Sequence, residues 1–191
     1  MAILPIRLIG DPVLRTVCRH IGLDELRSDK IQRFIDDLIE TMRDANGAGL
    51  AAPQVGHPLA IAAVLVSDNP RYPYKPNFPL TVVVNPTLTA IGEASEKLYE
   101  GCLSIPNLRG LVSRAMHVQV DALDRHGNPI TFDVHGLSAG TFQHEFDHLE
   151  GRLFVDRVED PDTFCTWDNF DRYYKDDFVK RAESIVQQYG G

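Results

Sequence analysis

The sequence predicts a fold that mixes helices with strands, and three stretches carry that reading. Residues 24–44 place Ile31, Phe34, Ile35, Leu38, Ile39 and Met42 three or four apart with charges between them, the period of an amphipathic helix. Residues 116–123 and 130–134 are extended in pattern and flank Asp124-Arg125-His126-Gly127-Asn128, which reads as a β-hairpin. Residues 142–151 read as a second helix, with Phe142, Phe146 and Leu149 forming a core-facing stripe.

The other elements fall into place around these. Residues 3–9 form a short extended segment before the turn at Gly10-Asp11-Pro12. The first helix ends at Asn46 and Gly47, which tolerate left-handed backbone. Its stripe needs no explanation beyond packing. Residues 47–56 (GAGLAAPQVG) are almost all small, which suits a flexible connector or a loop whose backbone approaches a ligand closely. Gln54 is the only long polar side chain there. Residues 59–66 read as a buried strand, and 82–85 and 87–91 as short strands around Pro86. Between them, 68–80 is a long surface loop with Pro70, Pro73, Pro76 and Pro79. His117, His126 and His135 read as structural or solvated, and Ser138 as a cap of the second helix. Residues 171–189 make a last amphipathic helix with Tyr174, Phe178, Ala182 and Ile185 on one side.

At 191 residues the chain is expected to form a single catalytic domain, 1–191, with a helical tail from about 165. Its 43% hydrophobic and 24% charged residues are ordinary for a globular protein. A net charge of −8 disfavours a broad nucleic-acid surface, so no DNA partner is expected. No apolar run is long enough for a membrane span, so no membrane partner is expected either. Residues 1–15 lack the features of a signal or transit peptide. Three scattered cysteines, Cys18, Cys102 and Cys165, argue against a disulfide framework and for a reducing cytoplasm.

The chemistry concentrates at His144-Glu145-Phe146-Asp147-His148. Four residues advance a helix by one turn and about 40°, so the two imidazoles share a face and could hold a divalent ion, with Glu145 beside its open position. The bland alternative is a surface helix with two histidines. A third ligand is missing downstream: no histidine follows His148, and neither Glu159 nor Glu183 sits in a ligand motif. Upstream, Cys102 lies in Glu100-Gly101-Cys102-Leu103-Ser104. A lone cysteine is by default a small buried hydrophobe. As a thiolate it would complete a Cys-His-His set with a fourth position free for water.

This combination resembles the peptide deformylase family. Residues 47–54 (GAGLAAPQ), 100–104 (EGCLS) and 143–151 (QHEFDHLEG) match the family's three motifs in its order, and residues 10–15 and 153–156 fit as well. The 68–80 loop and residues 161–167 are similar to the subclass that includes organelle-type members. The lack of a transit sequence points to a bacterial-type, cytoplasmic enzyme. The resemblance implies an α+β fold, with antiparallel sheets packed around a central metal-binding helix and amphipathic helices near both ends. It implies removal of the N-formyl group from the first methionine of nascent polypeptides, releasing formate. By it, Cys102, His144 and His148 hold one metal ion, with Fe2+ favoured and Zn2+, Ni2+ or Co2+ also suited to the ligands. Glu145 is general base and acid, and Gln54 with the Leu103 N–H forms the oxyanion site. Gly49, Leu98, Arg109, Leu137 and Gly140 are expected at the substrate. Gly140 departs from the larger apolar residue common in the family, which leaves the width of the methionine pocket open. A solvated turn charge is the alternative for Arg109. The helix at 171–189 is a candidate ribosome contact, near the exit tunnel. A pair between Glu100 and Arg114 would steady the cysteine segment. The rival readings are another metal-dependent amidase or peptidase and a non-catalytic metal-binding relative.

Overall fold

The structure is a computed structural model describing residues 2–190. A five-stranded antiparallel sheet runs in the order β1 (Gly49–Ala51), β2 (Ile61–Val66), β3 (Phe78–Ala90), β6 (His117–Leu123), β7 (Pro129–His135). A separate hairpin pairs β4 (Ser95–Cys102) with β5 (Ile105–Ala115). The helices are α1 (Leu23–Leu26), α2 (Asp29–Asp44), α3 (Gly136–Leu149), α4 (Trp167–Tyr173) and α5 (Lys175–Tyr189).

β2 shows how the sheet is covered on both faces. Successive strand residues point to opposite sides. Ile61 and Ala63 join Ile35, Leu38 and Met42 of α2 in one core, while Ala62 and Val64 join Ala139, Phe142 and Leu149 of α3 in another. A strand buried on both faces reads as an unbroken apolar run, as 59–66 does. Each fully buried Leu or Ile in these layers contributes about 1.5–3 kcal/mol. α3 thus lies between the large sheet and the β4–β5 hairpin, and α5 packs Ala182 and Ile185 against Leu98, Met116 and Leu137.

Several boundaries differ from the sequence reading, each for a local reason. The helix expected over 24–44 is broken at Ser28, whose side chain caps α2 by accepting from the Ile31 N–H. The two strands expected around Pro86 are one 13-residue strand with a register shift between Val84 and Thr87, where the proline cannot donate. The small-residue run at 47–56 is not a flexible connector. It forms β1 and then a 3-10 turn, Ala52–Val55, ended by Gly56 at φ 87°. Ser138 does not cap α3: the helix begins at Gly136 after His135, and Ser138 is inside it. In the α3 stripe, Phe142 and Leu149 are buried but Phe146 only half so. The last helix is two, broken at Tyr174, which is 44% exposed, while Phe178, Ala182 and Ile185 are buried.

Candidate metal centre

α3 carries His144 and His148 on one face, with ring centroids 5.0 Å apart. β4 ends at Cys102, and the two-residue turn Leu103-Ser104 into β5 brings its Sγ to 3.3 Å from His148 Nε2. The ligand atoms of Cys102, His144 and His148 all lie within 4.8 Å of one another. Two nitrogens and a sulfur this close fit one transition-metal ion.

The surroundings fit as well. His144 Nδ1 lies 2.8 Å from Glu100 Oε2, which assigns the proton to Nδ1 and leaves the Nε2 lone pair for a metal. Arg114 donates to both Glu100 oxygens, from Nε at 2.6 Å and Nη2 at 3.0 Å, and to Asp147 from Nη1 at 2.7 Å. Arg157 closes the chain on Asp147 at 2.6 Å. Burial alone would raise the Glu100 carboxyl, but Arg114 and His144 beside it hold it well below the usual carboxylate range. Burial keeps His148 neutral by pushing its pKa well down, which suits a ligand nitrogen. The Ser104 N–H and Gln54 Nε2 also donate to the sulfur, both at 3.4 Å.

Glu145 is buried, and its Oε2 has no hydrogen-bond partner among the described residues. Burial raises its carboxyl to about 7, against the pull of His144 and Lys75. Gly49 lies flat against it: a Cβ there would stand 2.6 Å from the Glu145 carboxyl carbon and 2.8 Å from Cγ. The small residue in β1 is therefore what lets the carboxylate occupy this place. Gln54 accepts from the Ala51 N–H at 2.9 Å, which orients its NH2 toward Cys102 and Ser104 Oγ, the latter at 3.1 Å. The Leu103 N–H has no protein acceptor among the described residues.

A cleft beside these groups is lined by Gly49, Gln54, Leu98, Leu103, Leu137, Gly140, Thr141 and Glu145. At Gly140 the space a larger residue would fill is taken by Leu98, whose Cδ1 lies 2.6 Å from where a Cβ would be. The glycine therefore does not simply widen the pocket. Arg109 is not a solvated turn charge. It is 0% exposed, lies over the Phe170 ring at 3.8 Å, and donates from Nη2 to Tyr74 OH and Tyr99 O, both at 2.9 Å. It ties Tyr74 to β4 and α4, and it lines a second cleft whose walls include Cys102 and Leu103.

Several residues at this site escaped sequence reasoning. Ser104 touches both the sulfur and Gln54, and its place directly after the cysteine segment was the available signal. Lys75, Thr141 and Phe178 also line the cleft. Thr141 stands one turn before Glu145 on α3, so helical spacing could have found it. Lys75 and Phe178 come from distant segments with no local mark.

The comparisons with known proteins agree with this geometry. The polypeptide deformylase family model matches residues 3–164. A chloroplastic peptide deformylase 1A from tomato (Solanum lycopersicum) is 42% identical over 172 residues, covering 85% of this chain and 61% of that protein's length. A peptide deformylase 2 from Nostoc is 42% identical over 159 residues, covering 82% of this chain and 87% of its own. A class I type b peptide deformylase structure from Acinetobacter baumannii superposes with a TM-score of 0.80 at 36% identity, covering 83% of this chain and all of that one. One from Synechococcus elongatus, in complex with actinonin, covers 97% of this chain and 85% of its own, with a TM-score of 0.73 at 30% identity. On the matched length, the identity and the shared fold, this chain belongs to the polypeptide deformylase family, hydrolases that act on formyl-methionyl peptides.

Proposed function

We propose that this hydrolase removes the N-formyl group from the first methionine of nascent polypeptides with Glu145 as the proton carrier and Cys102, His144 and His148 as the ligands of one divalent ion. The observation that carries the reading is the convergence of those three donors, from β4 and α3, beside a buried carboxylate with an unpartnered oxygen.

A bound ion would supply Lewis acidity, making water a stronger acid and the formyl carbon a better electrophile. Glu145 takes a proton from the attacking water and returns it to the departing nitrogen, which its raised pKa near 7 suits at neutral pH. As the carbon–oxygen bond forms, negative charge gathers on the formyl oxygen. The Gln54 NH2 and the Leu103 N–H donate to it, and losing one such donor costs about 3 kcal/mol of barrier. Water's hydroxyl ends on carbon and its hydrogen on nitrogen, giving formate and a free amine. The formyl carbon bears only hydrogen, so close walls there, Gly49 among them, select against bulkier acyl groups. Leu98 and Leu137 supply apolar surface for the methionine side chain.

Iron(II) is the favoured ion on family grounds, and the same donors accept zinc, nickel or cobalt. On this reading the enzyme acts in a bacterial-type cytoplasm as one catalytic unit near the ribosomal exit, with the exposed face of α5 as the contact. No helix among the described residues is long and apolar enough to cross a membrane.

The test pairs metal analysis with formate release on one anaerobic preparation. Formyl-Met-Ala-Ser should release formate and its acetyl counterpart should not. Glu145→Gln should keep one equivalent of metal and lose turnover. Normal turnover in that variant refutes the assigned roles, and hydrolysis of acetylated peptides alone favours a different amidase.

A further inference from the structure

We infer that Lys75 is a specificity-determining residue, placing an ammonium at the far end of the first-residue pocket so that an N-formyl residue whose side chain ends in an oxygen acceptor is taken at least as well as an apolar one. The inference rests on the deformylase reading above and goes beyond it in naming which side chains the pocket favours.

Lys75 reaches in from the 68–80 loop and donates to Thr141 Oγ1 at 2.7 Å. Thr141 follows Leu137 by four residues and precedes Glu145 by four, so the three share one face of α3. At 1.5 Å per residue, Thr141 stands about 6 Å along the helix from Glu145. A side chain of four heavy atoms, extended over bonds of roughly 1.5 Å, spans about 5 Å. A first-residue side chain running back along α3 from the reacting carbon therefore ends near the Lys75 ammonium. Leu98, packed over Gly140, keeps the wall between them apolar.

The ammonium has three hydrogens to donate. Among the described residues it meets one acceptor, Thr141 Oγ1, and no carboxylate within 4 Å. Its other neighbour is the face of Tyr72, 4.9 Å from the ring centroid. The Thr141 hydroxyl accepts from Lys75 and donates its own proton to Leu137 O at 3.2 Å, so it leaves the remaining ammonium hydrogens free. An ammonium with spare donors beside Leu98 and Leu137 gains when an acceptor arrives with the substrate. A thioether is a weak acceptor. A sulfoxide or a carboxamide is a strong one on a chain of the same length.

The experiment measures kcat/KM of the metal-loaded enzyme on three formyl tripeptides. They share Ala-Ser after the first residue, which is norleucine, methionine sulfoxide or glutamine. The wild-type enzyme should use at least one oxygen-ended peptide as well as the norleucine one, and the arm that responds tells sulfoxide from carboxamide. Lys75→Met should lower the ratio of that peptide to norleucine at least fivefold, through KM, and Lys75→Arg should largely restore it. A wild-type preference for norleucine of tenfold or more over both others overturns the inference without any variant. So does a ratio that falls less than fivefold in Lys75→Met. Formate from none of the three overturns the inference if formyl-Met-Ala-Ser is still cleaved, and sinks the deformylase reading itself if it is not, which sets the two failures apart.

Discussion

Gly49→Ala tests how closely β1 and α3 must approach for Glu145 to work. The added methyl would sit 2.6 Å from the Glu145 carboxyl carbon and 2.8 Å from Cγ, where carbon atoms in contact keep about 3.5–4.0 Å. One of the two must yield by about 1 Å. β1 cannot yield easily: Gly49 pairs with Val64 of β2, and the neighbouring Leu50 and Ala51 are fully buried. The carboxylate therefore moves, and a displacement of about 1 Å at a reacting group costs on the order of 100-fold in rate. Overpacking should also cost about 1–3 kcal/mol of stability. At roughly 2–4 °C per kcal/mol for a chain of this size, the protein stays folded at 25 °C. Steady-state formate release, read beside metal content and a thermal melt, separates the two effects. The expected result is kcat down about 100-fold, metal unchanged and a melting point lower by roughly 2–12 °C. A kcat within twofold of wild type, with the alanine verified in place, would refute the claim that this glycine exists to seat the carboxylate.

Three other outcomes are expected. Arg114→Met leaves Glu100 with only His144 and Asp147 with only Arg157 as side-chain partners, so unfolding free energy should fall by about 3–5 kcal/mol and metal affinity by about 10–100-fold; a melting point within 2 °C of wild type contradicts the network. Cys102→Ser should leave the fold but lose most tightly held metal, and full metal occupancy measured after dialysis would remove the cysteine from the ligand set. Burial lifts the Cys18 thiol from 9.0 to about 11, so the folded state holds this proton more tightly than the unfolded chain does. The resulting stabilisation is complete below pH 9 and disappears as pH rises through about 11, a loss on the order of 2–3 kcal/mol. Urea melts of wild type and Cys18→Ala should therefore converge across that window, and parallel curves would show that the thiol does not titrate there.

The two α3 histidines could be placed on one face from spacing alone, because 3.6 residues per turn is a property of the local backbone. The same holds for the α2 stripe, the β6–β7 hairpin and the αL residues that end elements, such as Asn46 at φ 51°. Ser28 shows the limit even of local signals. Its capping role was available in the sequence, but the apolar period ran through it and concealed the break.

The sequence by itself determined the α2 stripe, the β2 run and the β6–β7 hairpin, and which side chains could chelate or carry protons, since period, turn residues and donor chemistry are written within a few residues of one another. Tertiary structure alone decided that Cys102 meets His148 across 46 positions, that Leu98 fills the space over Gly140, that Arg109 is enclosed by Tyr74, Tyr99 and Phe170, and that Lys75 ends at Thr141. Such contacts depend on how whole elements pack and on where the loops between them close. Local periodicity specifies which face of an element is apolar, and the partner brought to that face is chosen only when the layers assemble.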